Sequence, residues 1–265
     1  MSQPMHVLEM FRLNGQTAMI TGASGYLGTA MASALAEAGA SVVISSRQLE
    51  RAQQLAALLP SPGGAVHHAV ELDQMNEESI SAGFRMAETL TGGIDIFVNN
   101  GHEAIGADWK NITAEQFRRQ LDNLTGYFLL SRQFRDQVVN RGSSGSLILV
   151  GSMYGVVGSY PQVYDGIGTI SPAAYHALKG GIVQLNRHLA VCWAEDRVRV
   201  NCLSPGPFPS PAVPELLKER LIEKSPMKRL GTPEELKGAL IFLASQAGSY
   251  MTGHNLIVDG GWTAW

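Results

Sequence analysis

Short, continuously apolar runs of strand length alternate along this chain with longer stretches patterned as helices. Val42-Val43-Ile44 and Leu147-Ile148-Leu149-Val150 have no polar face. A strand with no polar face has to be covered on both sides, which is the condition of a parallel sheet lying between two layers of helices. The pattern predicts strands near 17–21, 41–46, 65–72, 94–99, 146–151, 197–203 and 255–259. Helices are expected between them, near 26–38, 48–59, 76–91, 113–140, 172–194, 212–224 and 233–246. Thr113-Ala114-Glu115-Gln116 and Thr232-Pro233-Glu234-Glu235 read as N-caps with acidic first turns.

The expected fold is therefore α/β: a doubly wound parallel sheet of about seven strands, Rossmann-type, with helices on both faces and ligands beyond the carboxyl ends of the strands. At 265 residues and 45% apolar composition the chain can bury one such core, and no linker, repeat or low-complexity tract divides it. We expect a single domain over 1–265. A net charge of −3 gives no electrostatic case for nucleic acid or an anionic membrane. Residues 1–12 carry charges and lack a signal-peptide core, and no apolar run is long enough to span a membrane, so a soluble, cytoplasmic protein is expected. Cys192 and Cys202 are the only cysteines and read as buried free thiols, with no pattern for a disulfide or a metal.

The first strand, Thr17-Ala18-Met19-Ile20, runs into Thr21-Gly22-Ala23-Ser24-Gly25-Tyr26-Leu27-Gly28 and then a helix. In that context glycines let backbone approach a pyrophosphate while amides at the helix start point at the anion. Gly22, Ser24, Gly25, Tyr26, Leu27 and Gly28 are thus candidates for holding a nucleotide cofactor. Further on, Ser152 ends the fifth strand and Tyr175-His176-Ala177-Leu178-Lys179 opens a helix. Tyr and Lys four apart share a helix face, so a fixed cation can favour phenolate in a group whose ordinary pKa is ~10. An exposed helix produces such a pair by chance, and its weight comes from its companions.

Taken in order, the glycine turn, Asn99-Asn100-Gly101, Asn123-Leu124-Thr125-Gly126, Ser152, Tyr175 with Lys179, Asn201 with Pro205-Gly206, and Val258-Asp259-Gly260-Gly261 resemble the short-chain dehydrogenase/reductase family, in its short single-domain form. The resemblance runs from about Leu13 to the C-terminus. It implies direct hydride transfer between a nicotinamide and a substrate carbon, with no metal. Ser152 would donate to the substrate oxygen and Tyr175 would act as acid for reduction and base for oxidation. Lys179 would lower the Tyr175 pKa and bind the nicotinamide ribose. Asn123 would perturb its helix and hold a water that relays protons. The resemblance also places Asp73 on the adenine, Asn99 and Gly101 beside the adenosine ribose, and Pro205, Gly206, Phe208 and Ser210 near the nicotinamide. A segment near 207–230 would cover the substrate, and the C-terminal tail would pack across a two-fold axis of a homotetramer.

The second strand ends Ser45-Ser46-Arg47 with no carboxylate, which suits the 2′-phosphate of NADP; NAD is the second candidate. Three features depart from the family. Its glycine turn has Tyr26 where the short enzymes usually have glycine, and Asn-Asn-Ala-Gly becomes Asn99-Asn100-Gly101-His102, with a packed or solvated histidine expected. The segment between Ser152 and Tyr175 is about ten residues longer than usual. Residues 156–171 of it, with Tyr160, Tyr164 and Asp165, are expected to form a mobile wall of the substrate pocket. Lys218, Arg220, Lys224, Lys228 and Arg229 are compatible with an anionic substrate. The reading is an NADP(H)-preferring oxidoreductase acting on a small molecule, a sugar-derived or polyol acid, of the gluconate 5-dehydrogenase-like kind. A 3-oxoacyl-carrier-protein-reductase-like enzyme and a catalytically idle nucleotide-binding sensor are the alternatives.

Overall fold

The computed structural model describes residues 5–167 and 170–265. Seven parallel strands form one sheet: β1 (Thr17–Ile20), β2 (Ser41–Ser46), β3 (His68–Glu71), β4 (Ile96–Asn99), β5 (Gly145–Val150), β6 (Val198–Pro205) and β7 (Asn255–Val258). Their spatial order is β3-β2-β1-β4-β5-β6-β7, so the order reverses between β1 and β4. The helices are α1 (Tyr26–Glu37), α2 (Leu49–Ala57), α3 (Glu77–Thr91), α4 (Ala114–Asn140), α5 (Ala173–Cys192), α6 (Glu215–Lys224) and α7 (Lys237–Ala244).

The strands lack a polar face because neighbours along each strand enter different cores. Met19, Val43, Phe97, Leu147 and Leu149 point into one core, which receives α3, α4 and α5. Ala18, Ile20, Val42, Ile44, Ile96, Val98 and Ile148 point into the other, under α1, α2 and α7. Register follows, since a one-residue slip would send each side chain to the opposite layer.

The element boundaries agree with expectation at most ends, and the departures have local causes. β3 starts at His68 rather than 65, because side chains replace the ladder there: the His67 Nδ1 accepts from the Val42 amide at 3.1 Å and the Ser41 Oγ accepts from the Val66 amide at 3.2 Å. α6 starts at Glu215, just past Pro214, because a residue preceding proline is held out of the helical region. The Thr232 capping box with Glu235 forms as expected, but on a 3-10 turn, Pro233–Leu236, that leads into α7.

At the C-terminus the chain folds back on itself. Trp262 is only 1% exposed and packs within its own chain, its ring 5.5 Å from that of Tyr160. Asp259 makes the turn that sends it there, accepting from the amides of Gly261 at 2.9 Å and Thr263 at 2.7 Å. Gly260 and Gly261 both sit at positive φ, 62° and 87°. Trp265 alone stays 67% exposed. Cys202 is buried as expected, whereas Cys192, the last residue of α5, is exposed. Among the described residues no helix is long and apolar enough to cross a membrane.

Candidate active site

The carboxyl ends of β1 and β4 open a cleft where the strand order reverses, the expected ligand position for this architecture. Its floor is the turn between β1 and α1. Gly22 has φ +64°, and a side chain there would meet the Asn100 carbonyl at 2.8 Å. A side chain at Gly28 would collide with the Gly22 carbonyl. Asn100 Nδ2 donates to the carbonyls of Thr21 (3.3 Å) and Gly22 (3.1 Å), fixing the turn. Helix α1 follows Gly25 with no side-chain cap, so its first amides are left for an anion. This cradle fits a dinucleotide pyrophosphate.

Ser24, Ser46, Arg47, Asp73 and Gly101 line the same cleft. Tyr26 and Leu27 occupy the first turn of α1, Tyr26 42% exposed. Two of the expected ligand groups are engaged by the protein itself. Asn99 is fully buried, its Nδ2 donating to the Tyr127 carbonyl at 3.1 Å, so its side chain does not reach the cleft. Ser46 Oγ accepts from the Gln48 amide at 3.2 Å at the start of α2. Arg47 is exposed and lies 3.5 Å from Glu103, which also holds Arg119 at 2.9 Å. Nothing in the chain's local pattern marks this carboxylate across the cleft. Pro205 ends β6, and Gly206 abuts Asp259, where a side chain would clash. Phe208 packs on Gly231 and shares a second cleft with Met227 and Leu230. Ser210 follows, its carbonyl accepting from the Val213 amide at 3.1 Å.

The groups expected to form the reacting centre lie together at the end of β5. Ser152 is 7% exposed, and its Oγ accepts from the Tyr154 amide at 3.2 Å, starting a tight turn over Met153–Gly155. Gly155 lets α5 close on that turn, since a side chain there would lie 2.7 Å from the Lys179 carbonyl. Close packing brings Ser152 to Tyr175. Lys179 is 5% exposed; its Nζ donates to the Val150 carbonyl at 2.8 Å and lies 5.7 Å from the centre of the Tyr175 ring.

Here the electrostatics differ from expectation. Burial raises the Tyr175 pKa above the ordinary phenol value, and it is the Ser152 side chain that pulls it back. Burial holds Lys179 down to about 8. Lys179 is therefore a desolvated cation beside the tyrosine ring.

Asn123 is fully buried inside α4, which runs through it as one helix, so the expected perturbation is not seen. Its Oδ1 accepts from Gln74 Nε2 (2.7 Å) and the Glu103 amide (2.8 Å), and its Nδ2 donates to the carbonyls of Glu103 and Gln120, both at 3.0 Å. The side chain clamps residue 103 in place. His102 is solvated, one of the two expected alternatives: it is exposed to the cleft, hydrogen-bonded to Gln120, and its ring centre is 5.5 Å from that of Tyr175. Sequence reasoning missed Gln120, which precedes Asn123 by three residues on the same helical face, a spacing that could have pointed to it.

Residues 156–167 of the long connection form an anchored wall rather than a mobile loop; Gly168 and Thr169, which also fell in the expected loop, lie outside the described residues. Tyr154 and Tyr164 share a hydroxyl–hydroxyl bond of 2.9 Å. Val163, Tyr160 and Tyr164 join Leu217, Leu221, Trp262 and Tyr175 in one small core. Arg220 Nη1 donates to the carbonyls of Gln162, Val163 and Asp165. Arg220→Ala should release this wall and raise KM about tenfold, the equivalent of one charge-assisted hydrogen bond. Turnover at saturation and NADP(H) affinity should hold; steady-state kinetics that leave KM unchanged would show that the wall does not border the substrate.

A family model described as enoyl-(acyl carrier protein) reductase matches residues 22–263. The chain is 33% identical to D-arabinitol 2-dehydrogenase (ribulose-forming) of Scheffersomyces stipitis, covering 98% of each chain. It is 35% identical to galactitol 2-dehydrogenase (L-tagatose-forming) of Cereibacter sphaeroides, over 97% of this chain and 98% of that one. Among solved structures, a gluconate 5-dehydrogenase from Burkholderia cenocepacia in complex with NADP and tartrate superposes with a TM-score of 0.88 at 31% identity, over 98% of this chain and all of that one.

Proposed function

This chain belongs to the short-chain dehydrogenase/reductase family and is an NAD(P)-dependent oxidoreductase; we propose that it interconverts a secondary hydroxyl of a neutral sugar alcohol and the matching keto sugar, with NADP(H) preferred. The observation that carries the chemistry is the convergence of Ser152, Tyr175 and Lys179 at the end of β5. When bound, the nicotinamide supplies or accepts the hydride at the substrate carbon. Ser152 Oγ donates to the substrate oxygen, and Tyr175 gives or takes its proton. Lys179 holds the ribose and keeps the tyrosine's surroundings polar in an otherwise dry site. Asn123 fixes the backbone of residue 103. The turn from Gly22 to Gly28 holds the pyrophosphate and Asp73 the adenine, while the segment near 207–230 covers the substrate.

The neutral class is supported by where the basic residues go. Lys218 is bound to Glu215 and the Pro211 carbonyl, Arg220 to three carbonyls, and Lys228 to the Glu223 carbonyl. Arg229 pairs with Glu235 at 2.6 Å, and Lys224 lies over the Tyr160 ring at 5.3 Å. With these partners they do not converge on Tyr175, which weakens the acid half of the earlier expectation. The polyol half is consistent with the arabinitol and galactitol dehydrogenases among its relatives. Purified protein assayed with pentitols, hexitols, their ketoses and sugar acids, each with both cofactors, tests the reading. Turnover confined to sugar acids or to 3-oxoacyl thioesters would overturn it.

Arg47 tests the cofactor preference. Its guanidinium faces Glu103 at 3.5 Å, a loose exposed pair that a phosphate dianion outcompetes. Arg47→Ala should weaken NADPH by roughly 1.5–3 kcal/mol and NADH little. Equal weakening in a fluorescence titration would reverse the preference. The half-buried edge strand β7, with no strand beyond it, and the exposed Trp265 support a homo-oligomer, taken as a tetramer from the family resemblance.

A further inference from the structure

Residues 101–103 form a short strap at the mouth of the cleft, fixed at both ends. Thr21 Oγ1 accepts from the amides of Asn100 and Gly101, both at 2.9 Å. Asn123 holds Glu103 at its amide (2.8 Å) and its carbonyl (3.0 Å). His102 sits between these clamps, exposed to the cleft and edge-on to the Tyr175 ring.

Its neighbours also decide where its proton is. Gln120 Oε1 accepts from the Ile105 amide at 2.8 Å, so the Gln120 amide cannot turn over. The NH₂ end must then be the one that meets His102 Nε2 at 2.8 Å. Nε2 can only accept there, which leaves the ring proton on Nδ1. A second proton would set N–H against N–H. Crowding by the cleft walls and the nearby Lys179 act in the same direction, holding the His102 pKa down to about 4. Among the described residues Nδ1–H has no protein partner. A neutral donor, rigidly mounted and facing solvent beside the catalytic tyrosine, is therefore left over.

We propose that His102 binds substrate, its Nδ1–H donating to a hydroxyl oxygen on a carbon next to the reacting one. The inference rests on the polyol reading above and sharpens it. A fixed neutral donor has no charge with which to select a carboxylate, but it rejects an analogue that lacks the oxygen, because a polar group of the site is then left unpaired. Gly101 is part of the same device: a side chain there would collide with Gln74 Oε1, and Gln74 in turn donates to Asn123, so the strap is packed for position from both sides.

The test compares wild type, His102→Leu and His102→Gln in the reduction of a 2-ketose and its 1-deoxy and 3-deoxy analogues. Thermal melts and NADPH titrations run alongside. His102→Leu should lose about tenfold in kcat/KM on the parent ketose, mostly through KM, and almost nothing on whichever analogue lacks the contacted hydroxyl. His102→Gln, which keeps a donor, should recover part of that loss. Melting temperature and NADPH affinity should not move. An equal loss on parent and both analogues, no loss on any of them, or a matching loss of NADPH affinity would overturn the proposal while a ketose-reducing wild type left the polyol reading standing. A wild type that reduces no ketose would overturn both, and that failure is visible before any variant is made.

Discussion

Tyr175→Phe should cut turnover by about 10³-fold, the range for loss of a positioned general acid, and leave cofactor affinity within a few-fold. In the proposed chemistry the phenol is the group that exchanges a proton with the substrate oxygen at the end of β5. Ser152 can donate a hydrogen bond, but an aliphatic hydroxyl is too weak an acid to give up its proton, and His102, its pKa held down to about 4, stays neutral and can donate only a hydrogen bond. Phenylalanine keeps the ring, which packs against the small cluster of Met153, Tyr154, Val163, Leu221 and Trp262, so the fold and the cleft should persist. The pH–rate profile gives a second check. Burial raises the Tyr175 pKa in this state, so oxidation, which needs phenolate, should climb with pH through the alkaline range, while reduction should stay flat until phenolate forms. If the Phe variant retains most of its turnover, another residue carries the proton and the assigned chemistry is wrong.

Lys179→Met should remove turnover and weaken the cofactor, and yet raise the stability of the fold. The lysine is 5% exposed and burial brings its pKa from 10.5 to about 8. Below pH 8 the ammonium is charged in both folded and unfolded chains, and the folded state carries the whole cost, about 3 kcal/mol from the linkage relation. As pH rises from about 8 toward 10.5 the folded lysine deprotonates first, the unfolded chain binds more protons, and the cost is relieved. Methionine fills a similar volume without charge. The Val150 carbonyl that it abandons still accepts from the Tyr127 hydroxyl at 3.2 Å. Urea unfolding should therefore show a variant more stable than wild type by about 1–3 kcal/mol at pH 7, with the advantage shrinking toward pH 10. Taking the difference between the two proteins cancels the buried Tyr127 and Tyr154, whose raised pKa values weaken the fold above pH 10 in both. An advantage independent of pH, or a variant less stable at pH 7, would show that the buried amine does not carry this cost.

What could be read from the chain without its fold was whatever has its cause within a few residues. The strands were legible because each run of apolar residues must satisfy two cores at once, and the helix starts because Thr113 and Thr232 bond to residues three positions on. The glycine turn and the Tyr175–Lys179 spacing were legible for the same reason, since turn geometry and one helical turn are local properties. Side chains whose partners are remote were not. Asn99, Gly101 and Ser46 looked alike as cofactor ligands, yet Asn99 turned inward to Tyr127, 28 positions away, and Gly101 was tied to Thr21, 80 positions away. The basic residues of 218–229 looked free for an anion until α6 packed against the wall formed by residues 160–165 and Arg220 found its carbonyls. Trp262 carried no local sign of its place in the core until the Asp259 turn brought it back onto Tyr160. The sequence by itself determined the elements, their order and the candidates for the reacting centre. The tertiary structure alone decided which polar groups are left with something to bind, because a hydrogen bond is saturable and its competitor is chosen by packing, not by neighbourhood in the chain.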